Sequence, residues 1–234
     1  MKNVPNRTFT NRGNLLSIYI VIIQMVLATA NRHVCGGSSR LQVSMPLEPF
    51  QPIDDDDRLR VVLTNCQKKA GTINSLTTEL LDMFIERRSH VLYGLQHIRN
   101  YPRCMNFIQV DSLDYRNSLT IHEKLTNHFH IITEMNSVLQ RIEVDENLHR
   151  STSAIAGKVE EIFEPLGVLI CEVYTAIGLT GSEVPNRTMP NPATLCLVNS
   201  RISRHLRDYI LLDRMRDMSA SLKEEYKHLL QQIA

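Results

Sequence analysis

Any chemistry in this chain would have to come from its five cysteines, its nine histidines and its carboxylates. The run Glu146-Asn147-Leu148-His149 has the Glu-x-x-His spacing that di-metal helical bundles use in pairs, with a carboxylate and an imidazole about one helical turn apart on one face. One pair does not hold such a centre, so no metal is expected. His128 and His130 stand two apart, which on a helix sends them to different faces. No Cys-x-x-Cys, His-Glu-x-x-His or Gly-x-Ser-x-Gly occurs, nor a phosphate-cradling glycine loop. The sequence therefore nominates no catalytic residue and no cofactor, and the protein is not expected to be an enzyme.

Charge gives little more. There are 26 Lys and Arg against 25 Asp and Glu, and no basic block, which argues against nucleic acid as the partner. The arginines at 201, 204, 207, 214 and 216 are interleaved with Asp208, Asp213 and Asp217, which reads as a solvated face of mixed charge.

The cysteines are Cys35, Cys66, Cys104, Cys171 and Cys196, and their reading depends on the compartment. Residues 15–30 are apolar except for Ser17, Gln24 and Thr29. Lys2, Arg7 and Arg12 precede the run, and Ala28-Thr29-Ala30 closes it. A positive start, a short apolar run and a small-x-small end describe a secretory signal peptide over 1–30, cleaved before Asn31. The run is short of the roughly 20 residues a bilayer span needs. The mature chain is expected to be extracellular, with no membrane insertion after cleavage. In that oxidising setting, five cysteines leave one over after pairing.

Residues 31–56 are rich in glycine, serine and proline and read as a flexible arm, ending in the acidic run Asp54–Asp57, which suits a helix N-terminus. Beyond it, apolar residues recur every three or four positions in four long segments. They are Leu59, Val62, Cys66, Ile73, Leu76, Leu80 and Phe84; Leu125, Phe129, Ile132, Leu139 and Ile142; Ile155, Val159, Ile162, Leu166, Leu169, Val173 and Ile177; and Val198, Ile202, Tyr209, Leu212, Leu222, Tyr226 and Leu229. Thr120-Ile121-His122-Glu123 has the form of a capping box, and Asn191-Pro192 is a candidate N-cap and first-turn proline. The spacing predicts helices over 57–90, 120–146, 152–177 and 192–230, with Pro165 able to kink the third. Together they would form an all-α four-helix bundle over 57–234.

The link between the second and third helices is short, so those two should be antiparallel. The other two links are long enough for crossovers, which permits an up-up-down-down arrangement. In that arrangement the start of the first helix meets the end of the third. Pairing Cys66 with Cys171 and Cys104 with Cys196, leaving Cys35 free, then satisfies the short reach of a disulfide. Five buried reduced thiols are the alternative. Asn186-Arg187-Thr188 is a glycan acceptor in the last long loop.

Cys66-Gln67-Lys68-Lys69, Cys104, Leu169-Ile170-Cys171-Glu172-Val173-Tyr174 and Cys196 together resemble long-chain class I helical cytokines of the interleukin-6 family, on the leukaemia inhibitory factor and oncostatin M branch. The resemblance implies an up-up-down-down bundle with two crossover loops, a monomer when free, with growth-factor and immune signalling through class I cytokine receptor ectodomains. It places a shared signal-transducing chain on the exposed faces of the first and third helices, at Lys68, Lys69, Thr72, Ser75, Glu79, Lys158, Glu161 and Glu164. It places a second chain at the start of the fourth helix, at Met189, Asn191, Ala193, Thr194 and Leu197. The Phe-x-x-Lys motif typical of the branch is absent before Cys196, and there is no tryptophan to anchor an interface. A secreted helical carrier of a small apolar ligand is the alternative function, and it would need a cavity between the helices.

Overall fold

The computed structural model describes residues 55–92, 118–148, 153–181 and 200–233. The expected signal peptide, the arm as far as Asp54, Cys35, Cys104, His149, the Asn186 acceptor, Met189, Asn191, Ala193, Thr194, Cys196 and Leu197 all lie outside these residues. The described chain is all-α: α1 (Asp55–Leu92), α2 (Ile121–Leu148), α3 (Ser153–Leu179) and α4 (Arg201–Gln232), with no strand among the described residues. All four helices belong to one compact unit.

Local chemistry explains where each helix starts and stops. Asp55, Asp56 and Asp57 occupy the first turn of α1, where their charge complements the positive end of the helix dipole. At α2 the capping box forms. The Thr120 N–H donates to the Glu123 carboxylate at 2.8 Å, and the Glu123 N–H donates back to the Thr120 hydroxyl at 3.3 Å. The Thr120 N–H and the Thr120 hydroxyl, each at 2.8 Å, both donate to the Glu123 carboxylate and favour its ionised form, so that carboxyl lies below its ordinary range. Helix α3 runs unbroken through Pro165 to Leu179, and the turn after it reaches Gly181, whose φ of 71° lies in the left-handed region that suits glycine. The Thr180 N–H closes on the Ala176 and Ile177 carbonyls there.

The start of α4 corrects the sequence reading. The helix begins at Arg201, not at 192. Ser200 caps it, with an extended backbone (φ −87°, ψ 142°) and a hydroxyl accepting from the Ser203 N–H at 3.0 Å. A serine hydroxyl placed to take an orphan first-turn donor is as good a start signal as Asn191-Pro192, and it lies nine residues further on.

The apolar stripes of α2 and α3 are buried as their spacing predicts. In α1, Leu59, Cys66, Ile73, Leu80 and Phe84 are buried while Val62 and Leu76 are half-buried. Helix α4 departs more. Ile202 is 63% exposed and Tyr209 half-buried, while His205, Asp208, Leu212, Met215, Ser219, Leu222, Tyr226 and Leu229 form the inward line.

Side-chain pairs tie the helices together. Asn65 of α1 donates to Glu172 of α3 at 3.4 Å, and further along Glu79 meets Lys158 at 2.6 Å. Arg60 of α1 donates to the Ile233 carbonyl just past α4 at 2.9 Å, Asn74 to the Arg216 carbonyl at 2.8 Å, and Phe84 lies edge-on to His205 at 6.2 Å. Between α2 and α3, His122 pairs with Thr180 and Phe129 with Tyr174. Between α2 and α4, His128 stacks edge-on against Tyr226 at 5.1 Å, and Asp145 meets Arg207.

Candidate functional site

Two places draw functional side chains together: an exposed face shared by α1 and α3, and a buried cluster where α1, α2 and α4 meet.

On the exposed face, the structure brings Glu79, Lys158 and Glu161 into direct contact. Lys68, Thr72, Ser75, Glu79, Glu161 and Glu164 are exposed, and Lys69 is half-buried. Lys158 plays a different part from the others. Its side chain is only 14% exposed, with the ammonium held between Glu79 at 2.6 Å and Glu161 at 2.7 Å. Hydrogen bonds to Glu161 and Glu79 favour its charged form and raise its pKa. Lys158 therefore fastens two carboxylates in place. What this end of the face presents outward is acidic, at Glu79, Glu161 and Glu164. Lys68 and Lys69 give the other end the opposite sign.

The cysteines differ from the expected pairing. Cys66 is a free thiol with no exposed surface, and Cys171 is one half of a disulfide. The Cys66–Cys171 bond is thus not made, and the bonding partner of Cys171 lies outside the described residues. The reason lies in which way each side chain faces. Cys66 belongs to the core stripe of α1, whereas Cys171 is half-buried. Burial, and then the charge of Glu172, push the Cys66 thiol well up. A thiol-specific reagent should leave Cys66 unmodified in the native protein and label it only on unfolding. Cys66→Ala should keep the disulfide at Cys171 intact by mass spectrometry. A newly free Cys171 thiol in that variant would restore the expected pair.

The buried cluster was not anticipated. Arg88 near the end of α1 grips both oxygens of Glu146 on α2, at 3.2 and 3.0 Å. Arg207 on α4, with no exposed surface, reaches Asp145 on α2 and bonds Asp208 through Nε at 2.9 Å. Arg141 holds Asp145 from within α2, at 3.1 and 2.9 Å. The Arg201 Nε donates to the His205 Nε2 at 3.3 Å. Burial pushes the Asp208 carboxyl up to about 7, against the pull of Arg207, and the Asp145 and Glu146 charges add to the rise.

Glu146, His205 and Asp208 offer three donor atoms within 4.8 Å of one another, a spacing a cation could use. Positive charge is already there, however, in Arg88 on Glu146 and in Arg207 on Asp208. The carboxylates are matched by guanidiniums, and the cluster fits a charge-compensated junction better than a metal centre. The sequence reading counted one Glu-x-x-His pair, and that count is corrected: a second, Glu225 and His228, lies toward the far end of α4 with His228 exposed. It takes no part in the cluster.

The sequence reading placed Arg207 and Asp208 on a solvated face. The signal that finds them is the spacing 205, 208, 212, 215, 219, 222, 226, which puts His205 and Asp208 on the same stripe as the core residues that follow. The solvated reading holds at Arg216, which pairs with Asp213 at 2.7 Å and Asp217 at 2.8 Å near the surface.

Compared with known protein families, curated proteins and solved structures, the chain matches none.

Proposed function

We propose that this chain is a secreted signalling ligand of the long-chain helical cytokine type. In this reading it is an up-up-down-down bundle with two crossover connections, acting by recognition rather than catalysis. The observation that carries the reading is the order of the helix contacts. Asn65 with Glu172 and Glu79 with Lys158 support opposite directions for α1 and α3. Arg60 with Ile233, Asn74 with Arg216 and Phe84 with His205 support opposite directions for α1 and α4. Arg88 with Glu146 brings the ends of α1 and α2 together, which supports a parallel pair. Because α4 starts at Arg201, the connection from α3 is longer than the sequence suggested, with more than enough reach to run back along a helix of about 40 Å.

The α1–α3 face is the proposed seat of the shared signal-transducing class I receptor chain, and the segment before α4, from Met189 to Leu197, is that of a second chain. The face is held rigidly by Lys158 between Glu79 and Glu161, which suits a surface that must not rearrange on binding. A core built of fully buried residues from all four helices supports recognition by outer faces over carriage of an apolar ligand inside.

Charge reversal tests the surface. Lys68→Glu and Glu161→Lys should each lower signalling potency on receptor-bearing cells by roughly tenfold or more, the cost of losing an interface hot spot. Helix content should stay as in the parent for both; the thermal midpoint should hold for Lys68→Glu and fall only slightly for Glu161→Lys, whose pairing with Lys158 lies at the surface. Unchanged potency in both variants would remove the α1–α3 face from the proposal.

A further inference from the structure

The cluster joining α1, α2 and α4 is more than a static fastening. Three buried carboxylates (Asp145, Glu146 and Asp208) converge there with three guanidiniums (Arg88, Arg141 and Arg207). His205 lies beside them, with a ring nitrogen within 4.8 Å of oxygens of both Glu146 and Asp208. Facing the His205–Asp208 pair are Arg88 from α1, Arg141, Asp145 and Glu146 from α2, and Arg201 and Arg207 from α4 itself. Two carboxylates this close, out of water and next to an imidazole, do not both stay ionised cheaply. A proton added among them removes one desolvated negative charge. It leaves Arg207 on Asp145 and Arg88 on Glu146.

We propose that this cluster is a proton-binding clamp: as the pH falls from mildly alkaline to mildly acidic, the buried Asp208 carboxyl, set against Glu146 and His205, takes up a proton, and the first turns of α4 are held more firmly against α1 and α2. The step is a reversible protonation, with the proton drawn from solvent and no bond otherwise made or broken. The proposal does not depend on the receptor reading.

The direction follows from linkage. The folded cluster holds the Asp208 proton up to about pH 7, while the unfolded chain gives it up near the ordinary 3.8. Between those values the native state binds more protons than the unfolded state. The stabilisation is thus fully present below the lower value and is lost as the pH rises through the upper one. Glu134 on α2 is also pushed up to about 7 by burial, and burial raises Glu143 as well, so a global melting curve would mix the three carboxyls. The readouts must therefore be local.

Carbon-13 NMR of the side-chain carboxyls should show Asp208 titrating near neutrality. Amide hydrogen exchange over 205–212, corrected for the intrinsic chemical rate, should be several-fold slower at pH 6 than at pH 8, with about tenfold as the limit per unit of pH. Asp208→Asn, which fixes the side chain in a neutral form, should abolish that pH dependence, and Glu134→Gln should leave it in place. An Asp208 carboxyl that titrates only below about pH 5, or exchange no slower at pH 6 than at pH 8, would overturn the proposal. The wild-type measurements decide this even if Asp208→Asn fails to fold.

Discussion

Arg207→Met should destabilise the protein by about 3–5 kcal/mol, the cost of leaving a buried charge without its counterion. Arg207 has no exposed surface, and it is the side chain that links Asp145 on α2 to Asp208 on α4. Methionine fills much of the volume, so the loss is electrostatic rather than a cavity. Asp145 keeps Arg141 after the change, whereas Asp208 is left beside Asp145 and Glu146 with its own cation gone. The double variant Arg207→Met with Asp208→Leu should therefore be more stable than Arg207→Met alone, because it removes the stranded carboxylate as well. Chemical denaturation of the wild type and these two variants at pH 8, where the wild-type Asp208 carboxyl is ionised, checks the order. A single variant within about 1 kcal/mol of wild type would mean that water reaches the cluster and screens it.

Phe84→Ala is expected to cost about 3–5 kcal/mol, in the range for emptying a large buried aromatic site. Phe84 has no exposed surface and its ring lies edge-on to His205, so it sits at the level of the charged cluster and seals α1 against α4. For a chain of this size that cost lowers the thermal midpoint by roughly 10 °C or more. The next residue is a built-in control. Ile85 is 39% exposed, and Ile85→Ala should shift the midpoint by much less. Equal losses at the two positions would mean that α1 is rotated from the orientation described.

Much of this architecture was legible because some signals act within one turn of chain. Thr120 and Glu123 predict their own reciprocal bonds, and the α3 stripe from Ile155 to Ile177 has a single strong period with little to compete with it. The start of α4 was less legible because two N-cap candidates compete, Asn191 and Ser200, and local chemistry alone does not rank them. Its inner face was misread for a related reason. Asp208 and His205 are polar, so a search for apolar residues passed over them and took Ile202 and Tyr209 instead. Whether an arginine is solvated or buried depends on what other helices bring to it. Here Asp145 and Glu146 lie some sixty positions away in sequence. Exposure at Lys68, Thr72, Ser75, Glu79, Glu161 and Glu164 follows from the same helical period, whereas Lys69 and Lys158 are partly covered. The locking of Lys158 between Glu79 and Glu161 was not legible, since it needs the relative height of two helices.

The Cys66 outcome separates two ideas that the sequence had joined. The start of α1 does meet the end of α3, through Asn65 and Glu172, and yet Cys66 turns inward and stays reduced. The approach of the two helix ends therefore rests on packing and a side-chain hydrogen bond, without a covalent staple between these two residues. Cys171 is disulfide-bonded, and its partner lies outside the described residues.

In the proposed function, one molecule brings two receptor chains together. The most direct test of that proposal is size-exclusion chromatography with light scattering, using the purified chain from Asn31 onward mixed with pairs of class I cytokine receptor ectodomains. The expected result is a complex whose mass accounts for one ligand and two different receptor chains, weakened by Glu161→Lys. A chain that stays alone with every such pair, or that never binds more than one receptor at a time, would contradict it.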